Sequence, residues 1–233
     1  MNKNSVMLIT GTRKGIGKSL VNYYTQKGFE VIGCSRKDVN FKFDNYTHFC
    51  LDVCDENSAI KLFNYIYKYY NRLDVLINNA SIASMNYCML TPLSKVREIL
   101  NTNVIGTFLF CREAGKLMKR NNLGRIVNVT SIGTQLNLEG EAAYTASKAA
   151  VESFTRGFAI EYAKFNITVN AIGPTPIKTD LIKSISQNKI DSLIQKLPIK
   201  RYSEFTDIYN VIDFFISKKS DFITGQTIFL GGV

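Results

Sequence analysis

A single histidine, His48, serves all 233 residues. That scarcity excludes a Ser-His-Asp hydrolase, whose base is a positioned imidazole. Zinc is no better supplied, because Cys50 and Cys54 bracket Asp52 with only His48 nearby, and a site would need more ligands. Acidic residues are also short: 19 Asp and Glu stand against 29 Lys and Arg, a net charge of +10. The cations are dispersed, with short pairs such as Lys119-Arg120 and Lys218-Lys219 rather than a dense cluster. They read as a solvated surface that attracts an anionic cofactor or substrate, not as a nucleic-acid footprint. No run approaches the roughly 18 apolar residues of a membrane span, and the N-terminus passes directly into a strand-like segment. The expectation is a cytoplasmic protein with neither membrane span nor cleavable signal. The odd, scattered set Cys34, Cys50, Cys54, Cys88 and Cys111 fits reduced packing residues.

What is present is a hydrophobic content of 45%, ample for a core, in a length that an α/β fold reaches as one domain over 1–233. Strand-like segments recur at 6–10, 30–34, 47–51, 75–78, 125–130, 168–171 and 226–230, with helical patterns between most of them. This alternation predicts a doubly wound Rossmann fold: a seven-stranded parallel sheet covered by helices on both faces. Val75-Leu76-Ile77 and Ile126-Val127 have the unbroken apolar character of strands buried on both sides. Asp55 can cap a helix through Tyr70, and Thr91-Pro92 reads as a cap followed by a first-turn proline. Longer helices are expected over 102–120 and 142–164, an irregular connection over 36–46, and a small helical lid over about 179–201.

Chemistry concentrates at two places. Met7-Leu8-Ile9 ends in Thr10-Gly11-Thr12-Arg13-Lys14-Gly15-Ile16-Gly17 and then a helix, the strand–glycine turn–helix context of a phosphate-binding turn. Gly11 would permit the turn, while Gly15 and Gly17 would let backbone approach a diphosphate and the sheet. Farther on, Ser131 precedes Tyr144 by thirteen positions, and Lys148 follows Tyr144 by four on an Ala-rich helix, so Tyr144 and Lys148 share a face. A phenol titrates near pH 10, and lowering that by roughly 3 units needs about 4 kcal/mol, which a close ammonium could supply. Taken alone, each pattern has a structural alternative: a surface Tyr/Lys pair, or a merely structural glycine turn.

In order along the chain, these segments resemble the short-chain dehydrogenase/reductase family. Thr10 to Gly17 is similar to its T-G-x-x-x-G-x-G element, Asp52-Val53 to the pair that meets adenine, and Asn78-Asn79-Ala80-Ser81 to its N-N-A-G segment, with Ser81 in place of glycine. Ser131, Tyr144 and Lys148 match its catalytic set, and Asn103 falls where the family keeps a helix-borne asparagine. Ile172-Gly173-Pro174-Thr175-Pro176-Ile177-Lys178-Thr179 resembles its P-G-x-I-x-T loop, with Thr175 for the glycine; Ile223-Thr224-Gly225-Gln226 also fits, while Leu230-Gly231-Gly232 departs from D-G-G. The resemblance implies hydride transfer between a nicotinamide and a carbonyl or secondary alcohol. Tyr144 would exchange the proton, Ser131 steady the oxygen, Lys148 lower the phenol pKa and bind ribose, and Asn103 hold a water linking Lys148 to solvent. Asp52 would contact adenine, with Asn79 and Thr179 bordering ribose and carboxamide. The helix face made by Ala142, Ala143, Ala146, Ala149, Ala150, Phe154 and Phe158 either packs on the sheet or, as in the family, pairs with another subunit, implying a homodimer or homotetramer.

Cofactor choice is read from the end of the second strand. No acid stands there to bind ribose hydroxyls; Ser35 and Arg36 do. The expectation is NADP(H), with Arg36 the main contact to a 2′-phosphate and Arg13 or Lys14 assisting. Within the family, Leu197-Pro198-Ile199-Lys200-Arg201 and Ile223-Thr224-Gly225-Gln226 are most like bacterial 3-oxoacyl-acyl-carrier-protein reductases. Against this, Asn122 and Phe165 occupy the positions of the carrier-binding arginines, although Lys119, Arg120 and Lys164 lie close. A reductase of a sugar-linked or secondary-metabolite ketone is the alternative, and a non-catalytic dinucleotide-binding sensor or scaffold the reading of another class. Ser84, Leu136, Leu138, Ile177, Leu181 and Ile182 are the candidate substrate-pocket residues, chosen by loop position.

Overall fold

The inner strands of the sheet are buried along their length, whereas the edge strands at Tyr46–Cys50 and Thr227–Phe229 are only partly covered. The computed structural model describes residues 5–178 and 187–232. Strands β1 (Val6–Thr10), β2 (Glu30–Ser35), β3 (Tyr46–Cys50), β4 (Val75–Asn78), β5 (Gly124–Val129), β6 (Ile167–Gly173) and β7 (Thr227–Phe229) form one sheet. Its order is β3-β2-β1-β4-β5-β6-β7, and every pairing is parallel. Alternation of side chains along a strand splits the core in two. Val6 and Leu8 point with Ile126 toward α2 (Glu56–Tyr70) and α4 (Gly106–Arg120), whereas Met7 and Ile9 point with Val127 toward α1 (Gly15–Gln26) and α8 (Phe205–Ile216). The doubly wound Rossmann architecture is therefore present.

The order in which strands are added reverses between β1 and β4, where successive crossovers depart to opposite sides. Such a switch point opens a crevice beyond the carboxyl ends of the strands. Local sequence decides what surrounds it. Asp55 caps α2 by accepting from the Asn57 amide, as its type predicts. At α3 (Leu93–Leu100) the expected cap is displaced: Pro92 takes the cap position, and the Thr91 hydroxyl instead donates to the Asn86 and Tyr87 carbonyls. The expected helix over 102–120 also begins earlier, because α3 continues through a π-helical turn, Asn101–Ile105, into α4. The short α5 (Gly133–Leu136) precedes α6 (Ala142–Tyr162). On α6, Tyr144, Ser147, Lys148, Val151, Glu152, Thr155, Phe158 and Ala159 form one buried stripe at helical spacing. Of the expected lid, the described part is α7 (Gln187–Lys196), followed by Leu197 and Pro198 packed toward Gly231 and Gly232.

Candidate active site

The turn after β1 is built by close backbone approach. Gly11 has φ +74°, and a methyl there would meet the Ala80 backbone at 2.8 Å. A methyl on Gly17 would fall 2.2 Å from the Gly11 carbonyl oxygen, so α1 can lie this close to β1 only with glycine at that position. Asn79 locks the turn, donating from Nδ2 to the carbonyls of Thr10 and Gly11, while the Thr10 hydroxyl accepts from the Asn79 and Ala80 amides. Lys14 stands at the N-cap of α1 without a side-chain cap, and the first turn of that helix holds no acidic residue. Amides at the helix start, the positive end of its dipole and flanking Arg13 and Lys14 together suit a diphosphate.

A cleft of about 680 Å³ runs over the carboxyl ends of the sheet. Gly11, Arg13, Lys14, Gly15 and Ile16 line it at the turn; Ser35 and Arg36 at the end of β2; Asp52 and Val53 after β3; Asn79, Ala80 and Ser81 after β4; and Ser131, Tyr144, Pro174 and Ile177 beyond β5 and β6. The expected dinucleotide residues thus converge, with three exceptions among the described residues: Thr12, Gly17 and Lys148, the last buried behind the cleft with its amine on the Val129 carbonyl. Thr12 is fully buried and faces β2 and β3, where its hydroxyl contacts Cys34 O and accepts from Tyr46 Oη. Gly17 packs beneath the turn rather than lining the cleft. Thr179, Leu181 and Ile182 lie outside the described residues. Arg36 is exposed and, among the described residues, makes no ion pair, so its guanidinium is available to an anion. Lys37 also lines this end of the cleft, a cation that the strand-end rule passes over. Behind it, His48 is held between Tyr46 Oη and Ser35 Oγ, and its pKa is lowered by burial.

At the other end, the Ser131 hydroxyl accepts from the Gly133 amide and stands beside Tyr144, lowering its pKa against the effect of burial. Lys148, 2% exposed, donates from Nζ to the Val129 carbonyl at 2.8 Å and lies 5.9 Å from the Tyr144 ring centroid. Burial dominates both groups. It pushes the Tyr144 phenol up to about 12, opposed by the Ser131 hydroxyl and reinforced by the Glu141 carboxylate. It brings the Lys148 amine down to about 7. The expected acidification of Tyr144 by Lys148 is therefore corrected: desolvation outweighs an ammonium that turns toward a carbonyl instead. The Asn103 side chain makes its hydrogen bonds with protein groups. It sits in the π-helical turn, wholly buried, donating to Ile82 O and Ser147 Oγ and accepting from the Ile82 amide. Every side-chain bond it makes braces the segment after β4 against α6.

Ser84, Leu138 and Ile177 line the substrate end, whereas Leu136 does not. Sequence reasoning missed Met85, Thr102, Glu141, Ile190 and Leu193, which also line the cleft. Of these, Glu141 was findable, standing one helical turn before Tyr144. Ile190 and Leu193 sit three apart on α7 and carry only an amphipathic signal.

Comparison with known proteins gives one pattern. Residues 11–232 match the family described as Enoyl-(Acyl carrier protein) reductase. The chain is 32% identical over 231 residues to a 3-oxoacyl-(acyl-carrier-protein) reductase FabG of Buchnera aphidicola, covering 97% of this chain and 95% of that one. It is 32% identical over 242 residues to the enzyme of the same name from Staphylococcus epidermidis, covering 100% and 98%. Among solved structures, ElxO with NADP bound superposes with a TM-score of 0.89 at 31% identity, covering 97% of each chain. An aldohexose dehydrogenase of Thermoplasma acidophilum gives a TM-score of 0.91 at 26% identity, covering 99% of this chain and 94% of that one.

Proposed function

This chain belongs to the short-chain dehydrogenase/reductase family of oxidoreductases, and from that premise we propose that it reduces a ketone to a secondary alcohol with NADPH. The observation that carries the reading is that Ser131 and Tyr144 line one end of a cleft, with Lys148 buried behind them, while its other end presents Arg36, Lys37 and the start of α1, which has no side-chain cap. Arg36, with Arg13 or Lys14 assisting, would hold the 2′-phosphate; the α1 turn the diphosphate; Asp52 and Val53 the adenine end; and Pro174 and Ile177 the nicotinamide end. ElxO binds NADP, which supports that choice.

When bound, NADPH supplies the hydride. Negative charge then develops on the substrate oxygen, and Ser131 Oγ and Tyr144 Oη are the two groups positioned to meet it. Tyr144, protonated at neutral pH, would give its phenolic proton to that oxygen in the reductive direction. Lys148, straddling neutrality, would carry the replacement proton and hold the ribose, while Asn103 braces the surrounding loop. A dinucleotide sensor would have no use for this relay.

A 3-oxoacyl thioester is the first substrate candidate, supported by the names of the FabG relatives. Lys119 and Lys164 both stack on Phe165, putting cations beside the position where a carrier-binding arginine is missing. A polar ketone, sugar-linked or from secondary metabolism, is the second, favoured by one observation: the Glu141 carboxyl lies in the substrate end of the cleft. The exposed Ala142, Ala146 and Ala149 and the Phe108–Phe154–Phe158 ring cluster support pairing of α4 and α6 with a second subunit. Cytoplasmic location is the matching proposal; no helix among the described residues is long and apolar enough to cross a membrane. The test is Tyr144→Phe. NADPH affinity should stay within about twofold while kcat falls by about 10²–10⁴, and retained turnover would refute the assignment.

A further inference from the structure

Glu141 is a carboxylic acid that the fold does not use. It occupies the N-cap position of α6 but makes no side-chain cap hydrogen bond. Among the described residues its carboxyl has no cation and no hydrogen-bond donor, although it is half-buried. An acid so placed normally costs stability unless something satisfies it. Its own burial raises its pKa, with no charged neighbour to offset that.

Its position is informative. A methyl built on Gly133 would lie 3.0 Å from Glu141 Oε2 and 3.3 Å from Ser131 Oγ, so carboxyl and hydroxyl flank one point. Tyr144 lines the same cleft, three positions beyond Glu141 in the chain, and its phenol feels the Glu141 charge. Met85, Leu138, Ile177, Ile190 and Leu193 give this cleft apolar walls, with Ser84 a polar group among them, and no described side chain hydrogen-bonds the Glu141 carboxyl. A small molecule whose carbonyl oxygen rests on Ser131 and Tyr144 would bring the substituent on its next carbon to Glu141.

Resting on the ketone-reductase reading, we infer that Glu141 is a substrate-recognition residue, selecting a ketone that carries a hydrogen-bond donor, hydroxyl or ammonium, on a carbon beside the reacting carbonyl. An unsubstituted alkyl neighbour would desolvate the carboxyl without replacing its water; a donor would replace it. The arrangement disfavours anionic groups at the same position.

The test uses the full chain with saturating NADPH and four probes: 2-butanone, hydroxyacetone, aminoacetone and the acetoacetyl thioester of N-acetylcysteamine. Wild type, Glu141→Gln and Glu141→Leu are compared, with melting temperatures recorded to show that each variant is folded. The expected result is a hydroxyacetone-to-butanone kcat/KM ratio that falls about 10- to 100-fold in Glu141→Leu. Glu141→Gln, which keeps an acceptor oxygen and loses the charge, should keep the preference for hydroxyacetone and lose that for aminoacetone; loss of the hydroxyacetone preference in Glu141→Gln with its retention in Glu141→Leu overturns the inference. An unmoved ratio in Glu141→Leu overturns the inference and leaves the reductase reading standing, as does wild-type turnover of the thioester alone. No turnover of any probe by the wild type overturns both.

Discussion

Replacing Lys148 with methionine should make the cofactor-free protein more stable while removing its activity, and the gain should vanish with rising pH. The amine is 2% exposed and held at a pKa of about 7, against an ordinary 10.5. That difference corresponds to about 4–5 kcal/mol against the protonated form in the folded state. Methionine has similar length and no charge, but it leaves the Val129 carbonyl without the donor it now has at 2.8 Å, a loss of about 1–3 kcal/mol. The net expectation at pH 6 is a variant more stable by about 2–4 kcal/mol. Below pH 7 the amine is protonated in both folded and unfolded chains, so the gap is constant. Between 7 and 10.5 the unfolded chain binds a proton that the folded wild type does not, and wild-type stability rises by about 1.4 kcal/mol per pH unit. The gap should therefore close by about 2.7 kcal/mol between pH 7 and 9. Guanidinium unfolding of both proteins at pH 6, 7, 8 and 9, followed by circular dichroism, reads this directly, because titrations common to both cancel. A gap that does not change with pH, or a variant less stable at pH 6, would refute the dominance of desolvation at this site.

Gly17→Ala should destabilise the fold by about 1–3 kcal/mol and weaken NADPH binding, since its methyl would fall 2.2 Å from the Gly11 carbonyl oxygen and outweigh any gain in helix propensity; an unchanged melting temperature would count against the packing described. Arg36→Ala should lower kcat/KM for NADPH by about 10- to 100-fold and leave that for NADH nearly unchanged, the loss of one charge-assisted phosphate contact; equal losses for both cofactors would assign Arg36 elsewhere. Asn103→Ala should cost stability, about 1–3 kcal/mol from the orphaned Ile82 amide and carbonyl, and lower kcat through the loop, with dinucleotide affinity changing least. Glu141→Gln removes a charge that raises the Tyr144 pKa, so the alkaline fall of the reductive rate should begin at lower pH than in wild type.

Most of the fold was legible because its signals are local. Apolar runs such as Val75–Ile77 can satisfy their backbone only as buried strands, and the seven expected strands all occur, each shifted by no more than two residues at either end. Tyr144 and Lys148 share a face because helix periodicity leaves no other arrangement. The misreadings are equally specific. Thr12 looks like a cofactor residue within the glycine turn, yet a side chain there points into the sheet beside Tyr46 and Cys34. The break in the helix at Asn101–Ile105 has no glycine or proline to mark it; it arises where Asn103 is drawn to Ile82 and Ser147, partners that are distant in sequence. Thr91 looked like a helix cap because capping types are scored by neighbours, but the loop gave its hydroxyl the carbonyls of Asn86 and Tyr87.

By itself the order of residues determined the alternation of strands and helices, the glycine turn, the missing acid after β2 and the set Ser131, Tyr144, Lys148, all of which depend on chain geometry within a few residues or on side-chain chemistry alone. Only the tertiary structure decided how deeply those groups are buried and which acid lines the cleft beside them. Desolvation is set by what packs around a side chain from every direction, so the high phenol, the low amine and a Glu141 carboxyl without a partner among the described residues could be read only once the sheet, α6 and α7 had closed around them.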